Sequence, residues 1–521
     1  MLDRQTDKQT DRTYKCLVPY LKYLFFAVAS GVIVYFTLMS NDLVNNIDGI
    51  WHPSNFIAGD WEISLGRGLQ RYADRARFGL VTSAWNSIIV FLLIGISDCF
   101  IICKYRLNNT FFSFLFVFIT IANPIVCESL TYSYMSVNFG LAFFFSVLSF
   151  FLMPKEDSIL RERIRLLALS ILMFAISMAF YQAYMCVYAV LSIFMLIVLA
   201  QENGLKNLKK TAVNILIVGL FGGLLYWAIT KLLLLRAGIE LASYKGANGV
   251  SALSIVINLP NGFVRAIKET TNYIYNNRMS TGGLEFSKLV TIFLLVVLCI
   301  IVVVSAIDTF KKNKISGILQ LVLLSIVPVA ASSVCLVAVG NGITGLMAMG
   351  ILVAVLLFYL LAQNRKWTRI IMNVTLIVLA WYLVSSVQND QIALKEGINA
   401  TKTIAEKSVS DVYLNYSSDD FTTVAFVGRA AENPLFYKSL TYETANGYAQ
   451  FGRWSTDARN NRVTWIGIME MLCGTELPFC GVGEYEQIIR GDEIKDMPVY
   501  PQKGYIRVID DILVIKISDL Y

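Results

Sequence analysis

The sequence predicts an all-α polytopic membrane domain with about eleven transmembrane helices, followed by a small α+β domain. Of its 521 residues, 56% are hydrophobic and only 16% are charged, and the mean hydropathy is +0.59. A soluble domain usually carries about 25% charged residues. Apolar runs of about 20 residues recur along the chain, which is the length that a helix needs to cross a bilayer. We therefore assign residues 1–387 to a membrane domain and residues 388–521 to a polar domain.

The predicted spans follow from the apolar runs. The first four lie near residues 17–40, 79–102, 110–125 and 137–153. An apolar stretch at 164–200 is too long for one crossing, so we divide it at its most polar point, residues 180–184. The last five spans are predicted near residues 212–234, 287–307, 316–338, 343–362 and 370–387.

The basic residues predict the orientation of these spans. The net charge of +7 does not indicate nucleic acid as a partner, because Lys and Arg cluster in short connections between spans, where they orient membrane proteins. The alternate connections near 124–136, 180–184 and 339–345 contain neither Lys nor Arg. This bias places the N-terminus in the cytoplasm and the C-terminal domain on the outer face.

Two long loops are predicted on the outer face. The first, residues 41–78, is rich in acidic and aromatic residues and contains His52, the single histidine. The second, residues 235–286, contains an amphipathic segment that we interpret as an interfacial helix interrupted at Pro260. There Arg265 and Lys268 are expected to reach lipid headgroups or a substrate phosphate.

The C-terminal domain shows short segments rich in Val, Ile and Tyr, which is typical of strands. A helix is expected over residues 463–473. Strands are expected at residues 410–418, 422–428, 504–510 and 511–518.

The polar residues near the outer face can support transfer of a sugar from a polyprenyl phosphate. Such a transfer needs a base for the acceptor hydroxyl and cations for the leaving phosphate. Asp42 directly follows the first span and is the first candidate base, and Asp48 and Glu128 are further candidate catalytic carboxylates. Arginine suits phosphate because it donates two parallel hydrogen bonds. The candidate substrate-binding residues are Asp60, Glu62, Arg67, Arg71, Tyr181, Gln182, Arg265 and Lys268.

Each candidate also has a structural interpretation. A loop carboxylate is often solvated or caps a helix, and a lone loop histidine such as His52 is often a surface residue. Arg67 can anchor the loop to headgroups, and Tyr181 and Gln182 can make hydrogen bonds between helices. Trp51 and Trp61 can stack on a sugar or belong to an interfacial aromatic belt.

The cysteine and histidine pattern does not indicate zinc. There is no CxxC motif, and one histidine cannot build a multi-histidine site. No metal site is predicted, although Asp42 and Asp48 can share a divalent cation, which stays open. Cys473 and Cys480 lie in the polar tail and can form a disulfide if that tail is outside the cell.

Several short motifs together resemble the bacterial type II glucosyltransferase family of serotype-converting enzymes. The first span ends in Ser40-Asn41-Asp42, the outer loop contains a segment from Glu62 to Arg67, and Tyr181-Gln182 lies between apolar runs. The tail ends in Met497–Pro501 and Gly504–Ile506. The resemblance covers nearly the whole chain and implies the C-type glycosyltransferase fold.

The resemblance also implies a reaction and its location. The donor would be glucose on undecaprenyl phosphate, the acceptor O-antigen or another surface polysaccharide, and the site the outer face of a bacterial cytoplasmic membrane. Inversion at the anomeric carbon is expected, with Asp42 as the favoured base. Lys503 is carried over as a tail candidate, whereas Gly68 stands where the family has an aromatic residue, which weakens a sugar-stacking role there.

Two other functions are consistent with the sequence. A polysaccharide polymerase or ligase would use a lipid-pyrophosphate-linked glycan, and loop 235–286 permits this. A multi-pass transporter should show paired halves and ionisable residues within its spans, and no convincing repeat is present.

Overall fold

The protein is mostly helical and has one small sheet near its C-terminus. A computed structural model describes residues 18–46, 48–52, 55–155, 158–202, 205–243, 252–274, 285–337, 344–363, 365–417 and 419–519. Parts of the predicted loop 235–286 and most of the connection at 339–345 lie outside the described residues.

The helices of the first half alternate between long apolar elements and short elements in the connections. They are α1 Leu21–Val34, α2 Phe36–Ser40, α3 Asp60–Ser64, α4 Gln70–Ala76, α5 Ser83–Lys104, α6 Thr110–Ile121, α7 Pro124–Thr131, α8 Ser136–Leu152, α9 Leu160–Phe180, α10 Met185–Gln201 and α11 Leu205–Ala237.

The second half contains the longest helix and the tail. Its helices are α12 Ala252–Asn272, α13 Glu285–Lys312, α14 Lys314–Ala331, α15 Met349–Leu352, α16 Val355–Ala362, α17 Lys366–Asn415, α18 Leu440–Thr444, α19 Ala458–Ile468, α20 Val482–Arg490 and α21 Asp492–Asp496. The strands are β1 Thr423–Val427, β2 Ile506–Ile509 and β3 Ile512–Lys516.

The chain is a multi-pass membrane protein. Within the described ranges, eight helices are long and apolar enough to cross a bilayer. Three shorter apolar helices, Leu21–Val34, Ser136–Leu152 and Met349–Ala362, occupy three further predicted spans. The predicted division at 180–184 is confirmed, because α9 ends at Phe180 and a short 3-10 turn precedes α10. The number of eleven spans stays a prediction, since these three helices are shorter than a full crossing.

The predicted outer connections meet at one end of the helical bundle. Asn45 of the first loop bonds to Thr131 of the 124–136 connection through its backbone N–H, 3.2 Å, and its side chain, 3.1 Å. The Gln70 side chain donates to the Phe180 carbonyl, 2.8 Å. The Ala242 N–H, which follows α11, donates to the Ser64 carbonyl, 2.9 Å. The side of the membrane that this end faces stays a prediction.

The tail packs on the same end of the bundle. Trp51 Nε1 donates to Thr464 Oγ1 of α19, 3.0 Å. The buried carboxylate of Asp390 accepts hydrogen bonds from Asn446, 2.8 Å, and from the Tyr448 hydroxyl, 2.6 Å. The tail is therefore fixed over the first outer loop.

Three of the four predicted strands are confirmed. The sheet order is β1-β3-β2, with β1 parallel and β2 antiparallel to β3. β2 and β3 are joined at Asp510 and Asp511, which have φ of 46° and 60°, as a tight hairpin requires. The helix predicted at 463–473 is also confirmed, as α19 followed by a π-helical turn, Met469–Cys473.

Two local predictions are wrong. Residues 410–415 are not a strand but the end of α17, whose buried residues Ala405, Ser408 and Val412 recur every three or four positions. α17 also passes through the predicted domain boundary at 387/388. Pro260 does not interrupt its helix, because α12 is continuous from Ala252 to Asn272; a proline costs a helix one hydrogen bond and does not always end it.

Candidate functional site

The first outer loop folds back onto the helix ends directly after the first span. Asp42 has a φ of 46°, a left-handed conformation that aspartate tolerates better than most residues. Leu43 and Val44 are then buried, and the Asn45 side chain accepts from the Gly49 N–H, 3.1 Å. Because Asn45 is also bonded to Thr131, the segment that carries Asp48 is fixed in place.

Asp42 and Asp48 lie in different environments. Asp42 is exposed, whereas Asp48 is partly buried and accepts a hydrogen bond from the Tyr134 hydroxyl. Burial raises the pKa of Asp48 above its usual value, and the positive charge of Arg67 and the Tyr134 hydrogen bond oppose that rise. Of the two, Asp48 therefore has the environment of a functional carboxylate.

Arg67 connects Asp48 to the 180–184 connection. Its guanidinium carbon lies 4.4 Å from the ring centroid of the buried Tyr181. Its backbone N–H donates to the carbonyl of Glu62, 2.9 Å, and the buried Glu62 carboxylate lies within electrostatic range of Asp48. We call Asp48, Glu62, Arg67, Tyr134 and Tyr181 the carboxylate–arginine cluster.

One donor of this cluster is unsatisfied. The Nε of Arg67 is buried and has no hydrogen-bond acceptor among the described residues. Buried polar groups nearly always have a partner, so this Nε is a donor that a polar group of a substrate can use.

The turn that carries Arg67 is held by Gln182 and Tyr226. Gln182 Nε2 donates to the Leu65 carbonyl, 2.5 Å, and to the Tyr226 hydroxyl of α11, 2.8 Å. Gly66 has a φ of 76°, and a Cβ there would run into the Tyr226 hydroxyl. Glycine is therefore required at Gly66, both for its conformation and for its contact.

Glu128 is buried on α7, and Gly345 packs directly against its carboxylate. Tyr184 lies between Glu128 and the cluster, since its ring is 5.7 Å from that of Tyr181 and it interacts electrostatically with Glu128. Glu128 is thus a further carboxylate, which Tyr184 links to the cluster.

Other predicted residues lie outside the cluster. Asp60 and Arg71 form an ion pair, 2.8 Å, and Arg71 Nε donates to the Ala58 carbonyl, 2.9 Å. Arg265 donates to the Cys335 carbonyl, 2.6 Å. Lys268 and Lys503 are exposed, and within the described ranges no contact joins either of them to the cluster.

His52 packs beside the cluster. Its ring centroid is 4.4 Å from those of both Phe56 and Tyr134. Burial lowers the pKa of His52 to about 4, so the imidazole is neutral at physiological pH. His52 and Phe56 both pack against the ring of Tyr134 and so help to hold it beside Asp48.

Sequence reasoning missed three residues that support the site. Tyr134 belongs to the cluster, and Tyr226 bonds to Gln182, which holds the turn of Arg67. In the sequence, Tyr226 is only a tyrosine within an apolar span. The buried Asp74 accepts from the Ala58 N–H, from Arg77 and from Asn138, each at 2.9 Å. It joins the middle of the first outer loop to the end of that loop and to α8, and its partner Asn138 lies 64 residues away, too far for a local pattern to show.

The structure shows Cys473 and Cys480 as separate thiols, and burial raises the pKa of each to about 11. Their pairing stays a prediction. In the part of the chain that the structure describes, no group of three or more His, Cys, Asp or Glu side chains is arranged to hold a metal ion.

Comparison with known proteins gave one match. A family model described as Glucosyl transferase GtrII matches residues 35–345, which is more than half of the chain. The matched segment begins at the end of the first helix and includes every residue of the carboxylate–arginine cluster. Neither the curated proteins nor the solved structures include one that matches the chain.

Proposed function

The chain belongs to the GtrII glucosyltransferase family, and from that membership we propose that it transfers glucose from undecaprenyl phosphate to a polysaccharide hydroxyl. The match confirms the resemblance, and the chain is a membrane glycosyltransferase. Our proposal adds the lipid-phosphate donor, O-antigen or another surface glycan as acceptor, and the outer face of the bacterial cytoplasmic membrane. It also includes the C-type fold with eleven spans and an outer C-terminal domain.

The observation that carries this proposal is the position of Asp48 beside Arg67. A partly buried carboxylate interacts electrostatically with an arginine whose Nε is buried and unsatisfied among the described residues. Glycosyl transfer from a phosphate needs this pair, because a base must accept a proton and a cation must stabilise the leaving phosphate.

In the proposed reaction, Asp48 accepts the proton of the acceptor hydroxyl. The hydroxyl oxygen attacks the anomeric carbon of glucose from the side opposite the phosphate and forms the new glycosidic bond. The bond between that carbon and the phosphate oxygen breaks, and its electron pair leaves with the polyprenyl phosphate. A single displacement of this kind inverts the anomeric configuration.

The geometry favours Asp48 over Asp42 as the base. Burial raises the pKa of Asp48, which makes its carboxylate a stronger base near neutral pH. Asp42 is exposed. It stays a candidate because the family resemblance favours the acid after the first span, and the two residues can be separated by mutation.

The position of the cluster supports a lipid-linked donor. The cluster lies where α9 ends at Phe180 and where the turn before α10 begins, so it is at the end of two candidate spans. A sugar on a polyprenyl phosphate is held at this depth by its lipid, whereas a soluble nucleotide sugar needs no such site.

A donor assay tests the function. The purified protein in nanodiscs is given prenyl-phosphate glucose, and glycan isolated from cells that lack the protein serves as acceptor. We expect glucose on the glycan. Transfer from a lipid-pyrophosphate-linked oligosaccharide alone would instead favour a polymerase or ligase, and sugar uptake into proteoliposomes without transfer would favour a transporter.

A further inference from the structure

A cavity of about 310 Å³ lies between α4 and the end of α11. Three arginines line it, Arg71 and Arg75 from α4 and Arg236 from the last turn of α11. Its volume is at the lower end of the range for small-molecule sites, about 300–1,000 Å³. We propose that this cavity binds the phosphate group of a prenyl phosphate lipid. Under the proposed function, on which this identification rests, that group is the phosphate of the glucose donor and, after transfer, of the polyprenyl phosphate that leaves.

The cavity and the carboxylate–arginine cluster are formed by neighbouring residues of the first outer loop. Glu62 and Arg67 belong to the cluster, whereas their direct neighbours Ile63 and Gly68 line the cavity. Neighbouring Cα atoms are about 3.8 Å apart. A phosphate in the cavity would therefore lie next to the residues that we assign to the chemistry.

The charges around the cavity are not balanced by protein carboxylates. In the described part of the chain, neither Arg75 nor Arg236 forms an ion pair with an acid. Arg71 is paired with Asp60, whose side chain is 65% exposed, and exposed pairs of this kind are weak. The side chains of Arg75 and Arg236 are exposed, so an anion that enters the cavity can reach their guanidinium groups, and arginine is the side chain that best matches phosphate geometry.

The cavity lies at the level of lipid headgroups. Arg236 is in the last turn of a candidate membrane span. On the same helix Leu232 and Leu235 are exposed, as expected of side chains that contact lipid. Tyr72, which lines the cavity, is also exposed, and tyrosine is typical of the membrane interface. A phosphate with a lipid tail can therefore enter from the bilayer.

A structural role for the arginines gives a different expectation. Arg75 and Arg236 each lie in the last turn of a helix, where a positive charge offsets the helix dipole. That role would stabilise each of the two helices independently. It does not explain why both side chains and Arg71 line one cavity. If it were their only role, the arginine variants would have a lower melting temperature and unchanged phosphate binding.

The test measures binding of farnesyl phosphate to the full-length protein in phosphatidylcholine nanodiscs. Farnesol, inorganic phosphate and phosphatidylglycerol serve as competitors. The variants are Arg75→Gln and Arg236→Gln, with Arg75→Lys to restore the charge if folding is affected. Lys210→Gln is the matched control, because Lys210 is exposed at the opposite end of α11.

We expect both arginine variants to bind farnesyl phosphate about tenfold more weakly or worse, and Lys210→Gln to bind like the wild type. Equal binding by all variants, or displacement of farnesyl phosphate by farnesol or inorganic phosphate at equal concentration, would overturn the proposal. Equally effective displacement by phosphatidylglycerol would overturn the assignment to the donor.

The same measurements separate this proposal from the proposed function. If the arginine variants lose farnesyl phosphate while the wild type transfers no glucose, the cavity assignment holds and the function fails. If glucose transfer continues with an unchanged KM for the prenyl-phosphate donor in both variants, the function holds and the cavity assignment fails.

Discussion

The guanidinium group of Arg67 stacks on the ring of Tyr181, with its central carbon 4.4 Å from the ring centroid. This contact joins the first outer loop to the turn between α9 and α10, and it holds an arginine whose Nε is buried and unsatisfied and whose charge acts on Asp48. A desolvated arginine on an aromatic face gains up to about 2 kcal/mol from the contact. The contact therefore fixes a positive charge where the proposed reaction needs one.

Removing the ring should weaken transfer without unfolding the protein. Tyr181→Ala is expected to lower kcat/KM for glucose transfer by about tenfold, because Arg67 loses the surface that orients it. Tyr181→Phe retains the ring and should keep most of the activity. Equal losses in the two variants would show that the hydroxyl, and not the stacking, is what matters.

The turn before Arg67 should not accept a side chain. Gly66→Ala places a Cβ against the Tyr226 hydroxyl at a φ of 76°, and the left-handed backbone alone costs an L-residue roughly 1–2 kcal/mol. We expect a lower melting temperature and loss of transfer. Gly219→Ala on α11 is the control, because nothing lies within 4 Å of its added Cβ. A Gly66→Ala protein as active as this control would refute the role of the turn.

The pH dependence of transfer should report the base. Because burial raises the pKa of Asp48 above 3.8, the carboxylate is protonated and inactive below that raised pKa, and kcat/KM should fall as the pH falls through it. The charge of Arg67 and the Tyr134 hydrogen bond both lower this pKa. Tyr134→Phe should therefore shift this acidic fall in kcat/KM to higher pH. If kcat/KM falls at the same pH in both proteins, the titrating group is not Asp48.

Labelling of introduced cysteines tests the orientation. We expect Lys503→Cys in the tail to react with an impermeant thiol reagent in intact spheroplasts. Lys210→Cys, at the other end of α11, should react after lysis only. Both sites are exposed in the structure. The reverse pattern would place the carboxylate–arginine cluster in the cytoplasm and exclude a donor on the outer face.

Much of the fold could be predicted because each membrane span corresponds to one continuous apolar segment of the sequence. Each predicted span contains an apolar helix, and the polar break at 180–184 separates α9 from α10. The segment at 410–418, at the end of α17, resembles a strand because nine residues are too few to show the helical repeat of buried positions. That repeat becomes visible over the whole helix.

The site was predicted less well, because its geometry depends on contacts between distant residues. Asp42 and Asp48 look alike in sequence, and what places Asp48 in the cluster is the bond between Asn45 and Thr131, 86 residues apart. Tyr226 looks like any aromatic residue of a span. Its contact with Gln182 depends on how α11 is rotated against α10, which no single segment reveals.

The most direct test of the proposed reaction compares three carboxylate variants in the donor assay at equal expression. Asp48→Asn should lower kcat by about 10² to 10⁴, the usual contribution of a general base, while farnesyl phosphate binding is retained. Asp492→Asn, a change at an exposed acid that is paired with Lys495 in the tail, should have little effect. Wild-type activity in Asp48→Asn together with loss of activity in Asp42→Asn would contradict our assignment of the base.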